Sequence, residues 1–208
     1  MTLIPLWLSL SVHEWAHAWV AWRLGDDTAR LAGRLTLNPL AHIDPVGTLL
    51  LPLLGVPFGW AKPVPVQPHR FHQGVNMRSG MMRVALAGPV SNLVLAALSL
   101  MLLMLLVRVG LVSADPADPI HALIFLMILV NVLLASFNAL PIPPLDGSRV
   151  ADALMPAPLR PAWEGFLQMG PLALVAVLIL PRLTGVQLFY WPISGMQWVV
   201  DHALSLVQ

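Results

Sequence analysis

The stretch Leu10-Ser-Val-His13-Glu14-Trp-Ala-His17-Ala-Trp-Val20 places two histidines and a glutamate in the middle of a long apolar segment. On a helix, positions i and i+4 face the same way, so both imidazoles can reach one metal ion. Glu14 lies beside them and can act as a general base on a metal-activated water molecule. Imidazole nitrogens with an open fourth position suit zinc, so the pattern predicts a catalytic zinc site on a helix.

The composition of the chain indicates a protein of the lipid bilayer. Of its 208 residues, 58% are hydrophobic and 10% are charged, whereas soluble domains carry roughly 25% charged residues. The mean hydropathy is +0.78. A net charge of +1 gives no support for a nucleic-acid partner. Cysteine is absent, so any metal ligands must be histidines and carboxylates.

Six apolar segments predict an all-α polytopic membrane protein with about five to six transmembrane helices. They cover approximately residues 3–24, 46–60, 81–112, 120–137, 163–180 and 186–207. The second is broken by prolines and a glycine and is short for a span of about 20 residues, so we expect a re-entrant segment there. We expect residues 1–208 to form a single membrane-embedded domain, with a catalytic core at about 5–155 and accessory C-terminal helices at about 160–208.

Two stretches between these segments are expected to form short membrane-associated β-strands. Residues 30–37 alternate between polar and apolar side chains, which favours a strand. Residues 62–67 are too rich in proline for a helix and are expected to be an extended edge strand.

The positions of the basic residues predict an orientation in the membrane. Nine of the eleven lie on one side if segment 46–60 only dips into the bilayer, and the positive-inside rule makes that side cytoplasmic. They are Arg23, Arg30, Arg34, Lys62, Arg70, Arg78, Arg83, Arg149 and Arg160.

A catalytic zinc site needs a third protein ligand, and the chain offers few candidates. A histidine six residues after His17 is excluded, because Arg23 stands at that position. Glu164 is the only spare glutamate. Asp26 and Asp27 follow the end of the predicted first helix, where we expect them to be solvated cap residues.

Asp146 is the favoured third ligand. It lies in Asn138-Ala-Leu-Pro-Ile-Pro-Pro-Leu-Asp146-Gly147, directly after an apolar segment, and three prolines there prevent a continuous helix. Unwound backbone at membrane depth is tolerated where protein buries it or where it lines a water-filled cavity. Asp-Gly is also common turn chemistry, so a plain turn is the alternative interpretation.

These motifs resemble those of the site-2 protease family of intramembrane zinc metalloproteases. The resemblance rests on His13-Glu14-x-x-His17, on Asn138-x-x-Pro141 and on Leu145-Asp146-Gly147, and it extends over about residues 5–155. Residues 38–45, 59–63 and 87–92 resemble the compact bacterial type of that family, which has no PDZ or CBS domain.

The resemblance implies one Zn²⁺ per chain, bound by His13, His17 and Asp146, with Glu14 as the catalytic base. It implies a metalloendopeptidase of the bacterial inner membrane that cleaves membrane-spanning substrates near the cytoplasmic face, as in regulated intramembrane proteolysis. The expected partners are a transmembrane peptide or protein and the lipid bilayer. Asn138 is predicted to donate a hydrogen bond to the tetrahedral oxyanion, the alternative being a helix-end asparagine.

Secondary candidates are His42 and Asn92. His42 is expected either to line the site or to be a loop histidine bonded to backbone. Asn92, with Gly88 and Pro89, is expected first to mark close packing between helices, because small residues let helices approach.

Two other functions compete with proteolysis. A membrane transporter of metal ions or protons could use the same histidines and aspartate as an ion relay. Such transporters are often built from repeats, whereas this chain shows no repeat and concentrates its intramembrane ionisable residues in two places. The second alternative is a pseudoprotease that binds its substrate without cleaving it, and the intact Glu14 argues against this hypothesis.

Overall fold

The computed structural model describes residues 3–45, 47, 61–185 and 189–207, and within them the chain is helical. The helices are α1 (Leu3–Arg23), α2 (Thr28–Leu31), α3 (Met77–Arg108), α4 (Pro119–Asn138), α5 (Asp146–Leu154), α6 (Arg160–Gln168), α7 (Gly170–Thr184) and α8 (Tyr190–Ser205). Short 3-10 helices cover Pro39–Ala41, Pro68–Arg70 and Ala157–Leu159. The expected all-α class is therefore confirmed for this part of the chain.

The strand predicted at residues 30–37 is wrong. Its first residues belong to α2, and the turn that follows is closed by Gly33 at φ +68°. The N–H of Arg34 donates to Ala29 O at 2.8 Å, which ends the helix in a compact turn. The alternating pattern also fails to reflect burial, because Leu31 and Leu37 are 72% and 55% exposed.

Residues 62–67 form no strand among the described residues, so the predicted edge strand is wrong. The backbone nevertheless stays extended, because each proline fixes its own φ and holds the residue before it in the extended region. Proline at 63 and 65 removes two of the N–H groups that a β-ladder would need. The N–H of Lys62 donates to His42 O at 2.9 Å, and that of Val64 donates to a side chain of α1. The segment is therefore fixed by loop and side-chain contacts rather than by a sheet.

In the described part of the chain, two helices, α3 and α4, are long and apolar enough to cross a membrane, with 32 and 20 residues. Helix α1 has 21 residues, a length of about 31 Å at 1.5 Å per residue. The predicted segment at 163–180 is divided between α6 and α7. The predicted re-entrant segment at 46–60 lies outside the described residues apart from Gly47. The total of five to six spans stays a prediction.

Local sequence signals explain where the two long helices begin. The Asn76 side chain accepts hydrogen bonds from the N–H groups of Arg78 and Ser79 and so caps α3. Asp118 caps α4 in the same way, and Pro119 occupies the first helical position, where its missing N–H costs nothing.

Helix α3 is central to the fold, since it packs against α1, α4 and α5. A group of buried apolar residues, which we call the apolar cluster, lies between α3, α4 and α8. It contains Ala96, Leu103, Val112, Ile128, Met196, Val200 and Leu204. The outer face of α3 leaves large apolar side chains more than half exposed, as expected of a surface that faces lipid. They include Leu93, Val94, Leu98, Met101 and Leu105.

Candidate metal centre

Three potential metal ligands meet at one point inside the bundle. His13 and His17 are buried, one helical turn apart on α1, and their Nε2 atoms are 3.0 Å apart. Asp146 is the first residue of α5. Its Oδ2 lies 3.2 Å from His13 Nε2 and 3.3 Å from His17 Nε2. The structure thus brings together the three side chains that the sequence selected.

The geometry of these atoms fits a zinc ion. Tetrahedral zinc with bonds of 2.0–2.2 Å holds its ligand atoms roughly 3.3 Å apart, close to the three separations of 3.0, 3.2 and 3.3 Å seen here. Although it lies beside both imidazoles, Asp146 Oδ2 is buried and has no hydrogen-bond partner in the described part of the chain. A buried carboxylate oxygen without a partner is costly, and a bound cation would remove that cost.

Gly88 of α3 allows this close approach of the two histidines. A Cβ at this position would lie 2.5 Å from His13 Cε1 and 2.6 Å from His17 Cε1. The backbone of α3 therefore forms one wall of the site, and any larger residue would displace both imidazoles. Close packing, expected for Gly88 from the sequence, thus occurs directly on the candidate ligands.

The second ring nitrogen of each histidine is held by a neighbouring group. His17 Nδ1 lies 2.7 Å from Val84 O, and His13 Nδ1 lies 2.6 Å from Asn92 Oδ1. Because a carbonyl oxygen only accepts, His17 Nδ1 is the donor, and in the neutral imidazole Nε2 then has the free lone pair. Partners of this kind orient histidine ligands in metal sites.

Gly147 explains how Asp146 reaches the site from the end of α4. A Cβ at Gly147 would collide with the backbone carbonyls of Ala139 and Leu140. The start of α5 therefore packs directly on the turn that leaves α4, which places Asp146 against α1. The Asp-Gly pair is more than a plain turn, since its glycine permits a close contact between two chain segments.

Glu14 lies on α1 between the two histidines and is half-buried. Its Oε2 accepts a hydrogen bond of 3.0 Å from the N–H of Val64, in the extended segment 62–67. The Arg34 guanidinium donates to Lys62 O and fixes the beginning of the same segment. The backbone of this segment thus holds the carboxylate in place.

Asp26 is fully buried, so the expectation that it is a solvated cap residue is wrong. Its carboxylate accepts from the N–H of Thr28 at 3.0 Å and from the N–H of Gln67 at 2.6 Å. It therefore ties the end of α1 to the extended segment. Asp27 is half-exposed and pairs with Arg70 at 2.6 Å.

Asn138 and His42 contact backbone groups rather than the three ligands. The Asn138 amide donates to Leu134 O at 3.0 Å, within its own helix, so its role at an oxyanion stays a prediction. His42 is buried, with Nε2 2.8 Å from Thr36 O, which agrees with the reading of a backbone-bonded loop histidine.

Sequence reasoning missed two buried polar residues near the site, Ser9 on α1 and Asn131 on α4. Both bond to the amide group of Asn92 or to each other. The available signal was an asparagine at the centre of a helix that is otherwise apolar, since polar side chains within such helices usually face partners in the bundle.

Comparison with known proteins gives a consistent set of relatives. Residues 106–179 match the sequence profile of "Peptidase family M50". The chain is 43% identical over 159 residues to "Putative zinc metalloprotease YwhC" of Bacillus subtilis (strain 168), covering 76% of this chain and 70% of that protein. It is 36% identical over 200 residues to "Putative zinc metalloprotease Rip2" of Mycolicibacterium smegmatis, covering 91% and 71%. No solved structure matches the chain significantly.

Proposed function

The chain belongs to peptidase family M50, the site-2 protease family, and on this premise we propose that it cleaves membrane-spanning substrates at the cluster of His13, His17 and Asp146. The protein is a zinc metalloendopeptidase. Within that activity, we assign the three clustered residues as zinc ligands and Glu14 as the general base.

The observation that carries this assignment is the position of Asp146 Oδ2. This atom is buried, lacks a hydrogen-bond partner in the described part of the chain, and lies 3.2 and 3.3 Å from two imidazole nitrogens. A single cation placed among the three atoms satisfies all of them. Two histidines and a carboxylate, with a fourth position open to water or substrate, are a donor set of catalytic zinc enzymes.

When bound, zinc would polarise the scissile carbonyl and lower the pKa of a water molecule. Glu14 takes a proton from that water and passes it to the leaving amine. The N–H of Val64 restrains the Glu14 carboxylate through Oε2, so the base has a defined orientation. Asn138 remains the proposed oxyanion donor, and in that role its amide would exchange Leu134 O for the substrate.

The extended segment 62–67 is the proposed platform for the substrate. Its inner edge is bonded to the protein, since Lys62 and Val64 direct their N–H groups to His42 O and Glu14. Successive residues of an extended chain face opposite sides, so Pro63 and Pro65 face away from this inner edge. Their carbonyl oxygens can therefore accept hydrogen bonds from the free N–H groups of an unwound peptide, which is a restricted form of strand addition.

The proposal also includes the setting of the enzyme. It places the protein in the bacterial inner membrane with five to six crossing segments, a single domain over residues 1–208, and the site near the cytoplasmic face. The apolar outer surface of α3 supports membrane insertion, and the distribution of basic residues supports the orientation.

Glu14→Gln tests the proposal. We expect the purified variant to retain one zinc per chain and to lose cleavage of a tagged membrane peptide by roughly 10²- to 10⁴-fold, because a general base contributes about that much. Glu164→Gln, which changes the other glutamate of the chain, is the matched control and should cleave at the wild-type rate.

A Glu14→Gln protein that binds zinc and cleaves as fast as the wild type would overturn the assignment. Zinc uptake into sealed vesicles by the wild type, without any cleavage of the peptide, would instead support the competing transporter.

A further inference from the structure

We propose that Asn131, at the centre of α4, is a positioning residue of the metal centre that acts on His13 through Asn92. The inference rests on the proposed zinc site, because it concerns how one ligand of that site is oriented. Asn131 does not touch the cluster itself. It is linked to His13 by one intervening amide.

The link consists of buried polar groups from three helices. Ser9 of α1, Asn92 of α3 and Asn131 of α4 each have 0% of their surface exposed. Asn92 Nδ2 donates to Asn131 Oδ1 at 2.8 Å, and Asn92 Oδ1 lies 2.6 Å from His13 Nδ1. Helices α1, α3 and α4 thus each supply one side chain to this series of hydrogen bonds.

A backbone carbonyl determines the orientation of both asparagine side chains in this series of hydrogen bonds. The two ends of an asparagine amide are similar in shape, so its orientation is read from its partners. Met127 O lies 2.8 Å from the Asn131 amide and can only accept, so Asn131 must turn its Nδ2 towards it. Asn131 then presents Oδ1 to Asn92, and Asn92 must answer with Nδ2.

The consequence reaches the ring of His13. With its Nδ2 engaged by Asn131, Asn92 presents Oδ1 to His13 Nδ1. An oxygen acceptor there requires the hydrogen on Nδ1 and, in the neutral imidazole, leaves the lone pair on Nε2, the atom that faces Asp146. A reversed Asn92 amide would donate to Nδ1, move the hydrogen to Nε2 and block coordination.

Ser9 supplies an acceptor for the remaining N–H group of each asparagine side chain. Its hydroxyl donates to Pro5 O at 2.7 Å and accepts the second N–H of Asn131 at 2.8 Å. The second N–H of Asn92 is directed to Ser9 O at 3.4 Å. Both amides thus have all their hydrogens directed to acceptors, so reversal of either would leave buried groups unpaired.

A role limited to joining helices predicts a different outcome from a positioning role. Interhelical hydrogen bonds stabilise a membrane bundle whatever their direction. Positioning depends on the acceptor that Asn131 offers to Asn92, so its loss should alter the tautomer of His13 and the affinity for zinc in protein that is still folded.

The test compares Asn131→Leu with Asn131→Asp and with Ile128→Ala in the full chain in nanodiscs. Zinc affinity is measured by chelator competition, and the His13 tautomer of the metal-free protein by ¹⁵N NMR. We expect Asn131→Leu to lower zinc affinity roughly 10- to 100-fold, as outer partners of metal ligands do, and to populate the Nε2–H form. Asn131→Asp keeps an acceptor for Asn92 and should retain most of the affinity.

The controls separate positioning from stability. Ile128→Ala removes a buried side chain of the same helix outside the hydrogen-bonded chain, and it should lower stability without changing zinc affinity. Ser9→Ala leaves Met127 O to orient the Asn131 amide and should change zinc affinity little. Asn131→Ala removes the same acceptor as Asn131→Leu with a smaller side chain, and it carries the test if Asn131→Leu fails to fold.

Wild-type zinc affinity together with an unchanged tautomer in Asn131→Leu, or in Asn131→Ala if only that variant folds, would overturn the positioning role. His13→Ala distinguishes this failure from failure of the site. If His13→Ala binds zinc as tightly as the wild type, the proposed metal centre is wrong and the inference fails with it. If His13→Ala loses zinc while the asparagine variant does not, only the inference is wrong.

Discussion

Helices α3 and α4 make two contacts of opposite character. Beside α1 they contribute Asn92 and Asn131, whose amides bond to each other at 2.8 Å. Beside α8 they contribute Leu103 and Ile128 to the apolar cluster. Apolar packing between helices gains little in lipid, which is itself apolar, whereas each buried amide needs defined partners. The polar contact therefore has the means to orient the candidate ligands, whereas the apolar contact fills space between the helices.

Gly88→Ala should have the largest effect on the polar side, because its Cβ would lie 2.5 Å from His13 Cε1. Displacement of both imidazoles should abolish stable zinc binding and reduce peptide cleavage by about 100-fold or more, as misplacement of catalytic groups by about 1 Å does. Zinc content and the cleavage rate of the purified variant check this outcome.

Gly195→Ala is the matched control for Gly88→Ala, since a Cβ at Gly195 meets nothing within 4 Å. This substitution on α8 should leave zinc content and cleavage at wild-type values. Equal zinc binding by the Gly88 and Gly195 variants would contradict the view that the α3 backbone forms a wall of the site.

Leu103→Ala should have a medium effect, confined to stability. Leu103 is fully buried in the apolar cluster. We expect a loss of about 2 kcal/mol in the free energy of unfolding, at the low end for a buried leucine because the transfer from lipid contributes little. Denaturant unfolding in bicelles measures the loss.

Cleavage per folded molecule should be unchanged in Leu103→Ala, which sharpens the contrast with Gly88. Leu105→Ala on the same helix is the control, because Leu105 is 58% exposed and its removal leaves no cavity. A large loss of zinc affinity in Leu103→Ala would break the division between the two contacts.

Asp118→Asn should have the smallest effect and depends on pH. The N–H groups of Ser113, Ile120 and His121 donate to Asp118 and hold the pKa of its carboxyl below the ordinary value. Its stabilising contribution is therefore fully present above the unfolded pKa of about 3.9 and is lost as the pH falls through the lower folded value.

Thermal unfolding of the wild type and Asp118→Asn checks this prediction, because asparagine keeps an acceptor for the N–H groups of Ile120 and His121 and removes the charge together with the acceptor for the N–H of Ser113. The wild type should be slightly more stable at pH 7, and the difference should shrink in acid. A difference that grew as the pH fell would have the wrong sign.

The features that were predictable from the sequence are those with strong local signals. Helices α1, α3 and α4 follow from long apolar runs, and His13 with His17 from their spacing on a helix. The proximity of Asp146 followed from the shortage of other ligands. Its role as a ligand, like that of Glu14 and Asn138, stays a proposal.

The features that were not predictable depend on tertiary contacts. The burial of Asp26 requires the distant N–H of Gln67, which no local pattern reveals. The strand at residues 30–37 failed because Gly33 closes a turn within the alternating pattern. The contact between Asn92 and Asn131 depends on the rotation of α3 and α4 about their axes, which packing determines.

The separation of the candidate ligands along the chain has a consequence for biosynthesis. The imidazoles leave the ribosome before the carboxylate, which follows only after α3 and α4 have been made. A nascent chain therefore holds an incomplete candidate centre until α3 and α4 have been made and inserted. Hydrolytic capacity would arise in one late step, when the bundle closes, so unfinished enzyme would be harmless to neighbouring proteins.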